Sequence, residues 1–593
     1  MANLSLERRL KKQLRLNRQR AEDLTKRTGQ GIDKNLIRRL EQLTSVRRFI
    51  SVWLILAVLL IGTVVTQIIS LSGYYQTLAP ASGGVYTEGI LGDFTNANPI
   101  YATNPVDTAV SDLVFSGLLK YNDQNQLVDN LASSWSVNSI GNVYTVILKP
   151  NLRWQDGAKL TAQDVAFTYH VIQNADAQSP LESSWQGINV NAVNDTTIVF
   201  TLPNPLSSFP YSLTTGIIPE HILGNIPTTE LRSSTFNTLD PVGSGPFEFK
   251  AIEAYGDTPQ TRGENIELLP FSGYTGGQPK LNEMVIRAFH DQDAMLTSFR
   301  QQELTGMAGL SSVPSDLTKN SGVNIYNFIL TAEKMVFFKN SSGILADTKV
   351  RQSLVLGADT YTLISGLGYP TIPVNESLLL NQLGYNLTYR QFSFDPIAAA
   401  QELTSDGWIL NSNGIRYKSG QPLEFTISSA DDPEDVYDAT TLQKDWQAIG
   451  VKVDLSFQDS TTLQNTVENH SYDALLYGIS IGIDPDVYVY WDSTQFDPRS
   501  PVRLNLSEFD SSIADDSLEE GRTRIDPALR IIKYQPFLQA WQQNAPALGL
   551  YQPRFIYITR GDVYGLNQHT INTGTDRFSN VQNWEIREVK TSR

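Results

Sequence analysis

Two hydrophobic patterns divide the chain. Residues 50–71, ISVWLILAVLLIGTVVTQIISL, carry no charge, and none follows until Glu88. A helix rises about 1.5 Å per residue, so about 20 such residues cross a hydrocarbon core of about 30 Å. From Val85 onward the pattern becomes short and periodic. Residues 144–149 put Tyr144, Val146 and Leu148 on one face and Thr145, Ile147 and Lys149 on the other, which predicts a strand, as do residues 197–202 and 451–457. After the strand at 144–149, Trp154 leads into a turn at Gln155-Asp156-Gly157, where glycine takes positive φ without a clash. Thr161-Ala-Gln-Asp164 then has the form of a helix start, in which hydroxyl and carboxylate each accept from a free amide. Val165, Tyr169, Val171 and Ile172 are its expected buried stripe. Helical spacing returns at residues 347–358 and 395–406. Strands mixed with helices, without a solenoid-type repeat, predict an α/β architecture.

Charge separates the ends of the chain. The first 49 residues hold 14 Lys/Arg against 5 Asp/Glu, about +9, so a net charge of −16 leaves about −25 on the rest. Arg47 and Arg48 abut the apolar run, and beyond it no Lys or Arg occurs before Lys120, which puts residues 1–49 in the cytoplasm and the body outside. Residues 50–71 are therefore expected to be a transmembrane signal anchor. The alternative is a cleaved signal peptide, for which Ala79-Pro80-Ala81 has the small-x-small form, but the basic region and apolar run are long for one. Residues 72–84, SGYYQTLAPASGG, read as a linker. Leu6, Leu10 and Leu14, then Leu36, Leu40 and Leu43, predict two short basic amphipathic helices suited to anionic lipid or a partner. At 593 residues several cores are expected, and the acidic body argues against nucleic acid and for a cationic or zwitterionic ligand. The absence of cysteine removes disulfides, thiolate metal sites, a cysteine nucleophile and a lipidated cysteine.

Residues 115–174 contain FSGLLKY, LASSWSV, GNVYTVIL and WQDGAKLTAQDVAFTYH in that order. The segment resembles the signature of the family 5 extracellular solute-binding proteins, the peptide and nickel binding components of ABC importers. Further blocks follow in the family's order: DPVGSGPFEF at 240–249, VRQSLVLGAD at 350–359 after Asn340, and WQQNAPALGLY at 541–551. The resemblance implies a two-lobed periplasmic-binding-protein-like α/β fold with an additional subdomain in lobe one, preceded by a single transmembrane helix. Lobe one would take residues 85–330 and the return 543–593, and lobe two residues 331–542. It also implies a binding protein without catalysis, which closes on a peptide or similar small solute and delivers it to ABC permease subunits. A monomer is expected. A membrane-anchored sensor of the same fold is the rival.

The five histidines show no metal-ligand spacing, and Ser244 lies outside a G-x-S-x-G elbow, so neither metal nor nucleophile is expected and no cofactor is implied. Asp431, Asp432, Glu434, Asp435 and Asp438 around Pro433 read as a solvated acidic loop, because their spacing is not that of a calcium loop. In residues 472–491, YDALLYGISIGIDPDVYVYW, the family's peptide-binding members place a Trp and an amine-anchoring Asp ahead of the Asp-Pro pair. Those positions here hold Gly478 and Ile481. Asp484 or Asp486 is then either a replacement anchor or part of a turn. The ligand-binding candidates are Asn98, Phe115, Ser244, Gly245, Asp484, Asp486, Tyr488 and Trp491.

Overall fold

The computed structural model describes residue 15 and residues 47–72, 76–256, 263–500 and 502–592. The two basic amphipathic stretches, most of the segment 1–49 and part of the linker 72–84 lie outside the described residues. The chain forms two compact units. One contains the helix Arg47–Ser72, whose stretch Phe49–Ser70 has mean hydropathy 2.6 and no buried part. Such a helix is long and apolar enough to cross a membrane.

The second unit, Pro80–Arg587, is the body. Its lobe-one sheet has seven strands in the order Val323–Ile329, Arg554–Arg560, Gly306–Leu310, Val85–Leu91, Glu283–Phe289, Gly263–Pro270 and Phe247–Tyr255. Val85–Leu91 runs parallel to both its neighbours, while the outer pairs are antiparallel. The additional subdomain carries a four-stranded antiparallel sheet, Ala132–Val137, Val143–Leu148, Thr197–Thr201 and Asn189–Asn194. Against it lies the helix Ala162–Gln173. Its start is the expected capping box, Thr161 accepting from Gln163 while Asp164 accepts from the Thr161 amide at 2.8 Å. Val165, Tyr169, Val171 and Ile172 are all buried, and Tyr169 stacks on Trp185 with ring centroids 4.0 Å apart.

Lobe two is built on five strands in the order Lys452–Gln458, Glu424–Ala430, Ala474–Ser480, Ala332–Phe338 and Ala547–Tyr551. Both faces of this sheet are covered. Met335 and Phe337 enter one core with Trp491 and Trp541, while Val336 and Phe338 enter the other with Trp446. A strand buried on both sides reads as the continuous run MVFF rather than as an alternation.

Among the described residues two chain crossings join the two sheets, Leu330-Thr331 and Gln552-Pro553. The second falls some ten residues beyond the expected boundary at 542/543, because the strand Ala547–Tyr551 pairs with Ala332–Phe338 in lobe two before the chain returns. The crossings are tied to each other and to the neighbouring segment. Leu330 donates to the Pro553 carbonyl at 2.9 Å, and Thr331 donates to the Ile571 carbonyl at 2.8 Å and, through its hydroxyl, to Asn572 at 2.6 Å.

The acidic run around Pro433 is not a solvated loop. It opens the helix Pro433–Ala448, with Asp432 as the cap accepting from Glu434 and Asp435 amides. Asp435 and Asp438 turn inward at 3% and 0% exposure. Asp435 pairs with Lys334, and the Tyr551 hydroxyl donates to Asp438 at 2.6 Å. Burial of a carboxylate needs such partners, and these come from strands distant in sequence.

Candidate functional site

The lobe-one side of the site begins with the helix Pro105–Val114. Asn104 caps it, accepting from Asp107 at 2.9 Å, and Pro105 occupies the first turn where no amide bond is lost. Val106, Ala109, Val110, Leu113 and Val114 sink into the core. The opposite face, Thr108, Ser111, Asp112 and then Phe115, follows the i, i+3, i+4, i+7 spacing of a single helix side and lines a cavity of about 510 Å³.

Close packing at the end of this helix explains the segment 243–246. A Cβ on Gly243 would stand 1.9 Å from the Val114 carbonyl oxygen, and one on Gly245 2.6 Å from the Val114 carbonyl carbon. Gly245 instead donates to that carbonyl at 2.8 Å. Gln155, from the turn before the capping box, ties the same corner by donating to Val114 at 3.1 Å and Phe247 at 2.7 Å while accepting from Gly243 at 2.7 Å. Pro246 is thereby presented to the cavity wall.

The far wall comes from residues 572–579. A buried ion pair holds it: Arg577 donates to Glu88 on the central strand through two nitrogens, and Tyr557 donates to the other Glu88 oxygen at 2.6 Å. Asp576 accepts from the Asn572 and Thr573 amides at 2.8 and 3.0 Å, fixing the turn that brings Thr575 to the cavity. Burial raises the Asp576 carboxyl, and these amides partly offset that.

A second cavity, of about 450 Å³, lies between the lobes and is lined by Tyr144 and Tyr211 from one and Asp484 and Arg530 from the other. Two contacts mark its border with the first. Tyr121, which lines the lobe-one cavity, stacks on Tyr211 with centroids 6.5 Å apart and planes 23° apart. Asn572, also of the first cavity, donates to Asn125 of the second at 2.8 Å. The two recesses thus flank one tyrosine pair, next to the crossing at Thr331.

Several expected site residues serve other ends. Asn98 is buried and structural, donating to Asn237 at 3.0 Å and accepting from Ile100. Ser244 is buried with its hydroxyl unpaired, and with Gly245 it supports the helix end rather than the cavity. Trp491 is wholly buried, its ring 5.9 Å from those of Phe337 and Trp541, so it is core and not a stacking platform. Asp484 faces the interlobe cavity but is gripped by Arg530 at 2.8 and 2.6 Å, a two-point contact that fits a guanidinium to a carboxylate. Asp486 accepts from Arg522 at 3.1 Å and, across the lobes, from the Ser208 hydroxyl at 2.9 Å. Tyr488 lies in a third recess of about 500 Å³, its ring under Arg522. Phe115 lines the lobe-one cavity. Asp112, Tyr121, Tyr211 and Thr575 were not singled out from the sequence; Asp112 stands three residues before Phe115, and helical spacing was the signal that linked them.

Among the described residues no group of three or more His, Asp or Glu stands together as a metal site. The arrangement is that of a solute cleft with aromatic walls and few unpaired charges, set where two lobes meet.

Comparison with known proteins agrees with that geometry. The model of the bacterial extracellular solute-binding proteins, family 5 middle, matches residues 126–498. The oligopeptide-binding protein AppA of Bacillus subtilis is 25% identical over 517 residues, 85% of this chain and 92% of that protein. Its solved structure in complex with a nonapeptide covers 86% of this chain with a TM-score of 0.67, at 24% identity and over 100% of that chain. CtaP of Listeria monocytogenes, an ABC transporter substrate binding protein, gives a TM-score of 0.73 at 24% identity, covering 85% of this chain and 99% of its own. NikZ of Campylobacter jejuni, in complex with Ni(L-His), gives 0.70 at 24% identity with the same coverage. These structural likenesses carry the two-lobed fold.

Proposed function

The chain belongs to the bacterial extracellular solute-binding proteins of family 5, and on that premise we propose that it is the membrane-anchored substrate-binding component of an ABC importer. Its body is extracytoplasmic. It takes a peptide or similar small solute into the cleft between the lobes and delivers it to the permease. The observation that carries this reading is the pair of cavities flanking Tyr121 and Tyr211 beside the two crossings. A ligand touching both lobes there favours the closed arrangement by its differential affinity, and closure is what a permease reads.

The relatives support a peptide-like solute, since AppA holds a nonapeptide, while NikZ holds a nickel complex of histidine. Ordering side chains on closure costs about 0.5–1.5 kcal/mol each, so backbone hydrogen bonds and aromatic contact from the ligand must exceed that. Tyrosine walls suit the task because each ring offers apolar area and a hydroxyl. The helix Phe49–Ser70 serves as the anchor in a chain that has no cysteine for a lipid, with residues 1–49 in the cytoplasm. The protein acts as a monomer, without catalysis, and its acidic body disfavours nucleic acid.

Mass spectrometry of small molecules released by denaturing the purified full-length protein tests the reading. Recovery of one peptide-like class is expected. Recovery of a nucleotide or a lipid as the single stoichiometric ligand would overturn it.

A further inference from the structure

We propose that Asp112 anchors a positively charged group of the ligand, an ammonium or guanidinium, inside the lobe-one cavity. The inference rests on the binding-protein reading above and deepens it by assigning the charge of the substrate.

Lobe two offers no free carboxylate on residues 478–486. Gly478 and Ile481 carry no charge, Asp484 is held by Arg530, and Asp486 by Arg522 and Ser208. In the lobe-one cavity the carboxyls are Asp112 and Asp576. Asp576 already accepts from two backbone amides. Asp112 makes no ion pair among the described residues, and its side-chain contact is the Thr575 hydroxyl. It is exposed by accessible area, yet protein surrounds its carboxyl closely enough to desolvate it. The two observations agree if the surface it exposes is the wall of the cavity rather than the outside of the molecule.

Neither nearby cation pairs with Asp112. Arg577 is spent on Glu88, and Lys120, the cavity's own cation, donates to the Tyr274 hydroxyl at 3.2 Å and the Ser579 carbonyl at 3.3 Å. Desolvation raises the Asp112 carboxyl to about 6; Asp576 adds to the rise, and Thr575 and Arg577 oppose it. Asp112 is thus ionised at neutral pH, and a ligand cation supplies the missing counter-charge. Phe115 and Tyr121 add aromatic surface to the same cavity, which suits a cation, while the rings of Tyr274 and Phe578 already carry Lys120 and Arg577.

The test uses full-length protein in detergent and two probes: a random-sequence pentapeptide pool with free amines, and a pool without arginine whose amines are all acetylated. Binding is followed by titration calorimetry, and retained species by mass spectrometry. The parent is expected to bind the free-amine pool and to bind the acetylated pool at least about tenfold more weakly, the worth of one charge-assisted contact. Asp112→Asn should lose a similar factor for the free-amine pool while melting like the parent, and Asp112→Glu should recover part of it. Affinity for the free-amine pool should also fall as pH drops below about 6 in the parent and not in Asp112→Asn, because protonation removes the anchor. Equal binding of both pools, or Asp112→Asn binding as the parent does, overturns this inference and leaves the peptide reading standing. Binding of neither pool by the parent overturns both.

Discussion

Glu88 and Arg577 sit at 0% and 2% exposure, and each is the other's only opposite charge at hydrogen-bond range among the described residues. Their pairing crosses from the central strand of lobe one to the turn that carries Thr575 and Asp576, so it sets the cavity wall as well as the core. Removing one member strands the other in a medium that solvates it poorly. Arg577→Met is therefore expected to lower unfolding free energy by about 3–5 kcal/mol, read by urea denaturation, and the double variant Glu88→Met/Arg577→Met to be less unstable than the single one. A single variant as stable as the parent would mean that the pair is dispensable. At this scale the sequence was partly legible. Thr161 and Asp164 declare their roles because cap and partner lie three residues apart, whereas Glu88 and Arg577 are brought together only by the fold. Trp491 misled for the same reason: an aromatic beside an Asp-Pro turn looks the same whether it faces a cleft or, as here, Phe337 and Trp541.

The helix Pro433–Ala448 shows how an element's environment overrides its composition. Five acidic residues in eight positions read as a surface, yet Tyr369, Lys334 and Tyr551 draw Glu434, Asp435 and Asp438 inward and toward the crossing, where Arg554 of lobe one lies 3.5 Å over the Tyr369 ring. The lobes thereby share a polar junction next to the hinge. Burial raises the Asp438 carboxyl to about 7 from 3.8, with Tyr551 opposing the rise, and burial raises Glu376 to about 8. A carboxyl raised on folding binds its proton more tightly in the folded state. Its contribution is complete below its unfolded value near 4 and disappears as pH rises through the folded value. Thermal stability is thus expected to fall between about pH 5 and pH 8, and Asp438→Asn, which keeps an acceptor for Tyr551, to reduce that fall. A melting temperature that rises with pH over this interval would contradict the assignment. The fold itself was more legible than this junction: strands at 144–149 and 451–457 and helices at 347–358 and 395–406 announce themselves by period and caps, which are local, while the sheet order that pairs Ala332–Phe338 with Ala547–Tyr551 is not.

For the whole molecule, two crossings, two sheets and a cleft between them make a body able to report occupancy by closing. Ser207 donates to the Arg522 carbonyl at 2.9 Å, and Ser208 to Asp486, so a few polar contacts already bridge the mouth. On the proposed reading the apolar helix is an uncleaved anchor. The protein is expected to resist alkaline extraction and to retain its N-terminus, read by N-terminal sequencing; a mature chain beginning at Ser82 would show cleavage instead. The central claim, that a solute closes the lobes about their two crossings, is tested most directly by a distance between them. The chain has no cysteine, so labels at Val193→Cys in the additional subdomain and Ile397→Cys in lobe two, both strongly exposed, are the only ones. Pulsed electron paramagnetic resonance on this pair should give a distribution that narrows and shortens when bound solute, verified by mass spectrometry, saturates the protein. A distribution that stays the same with solute verifiably bound would contradict closure as the mechanism.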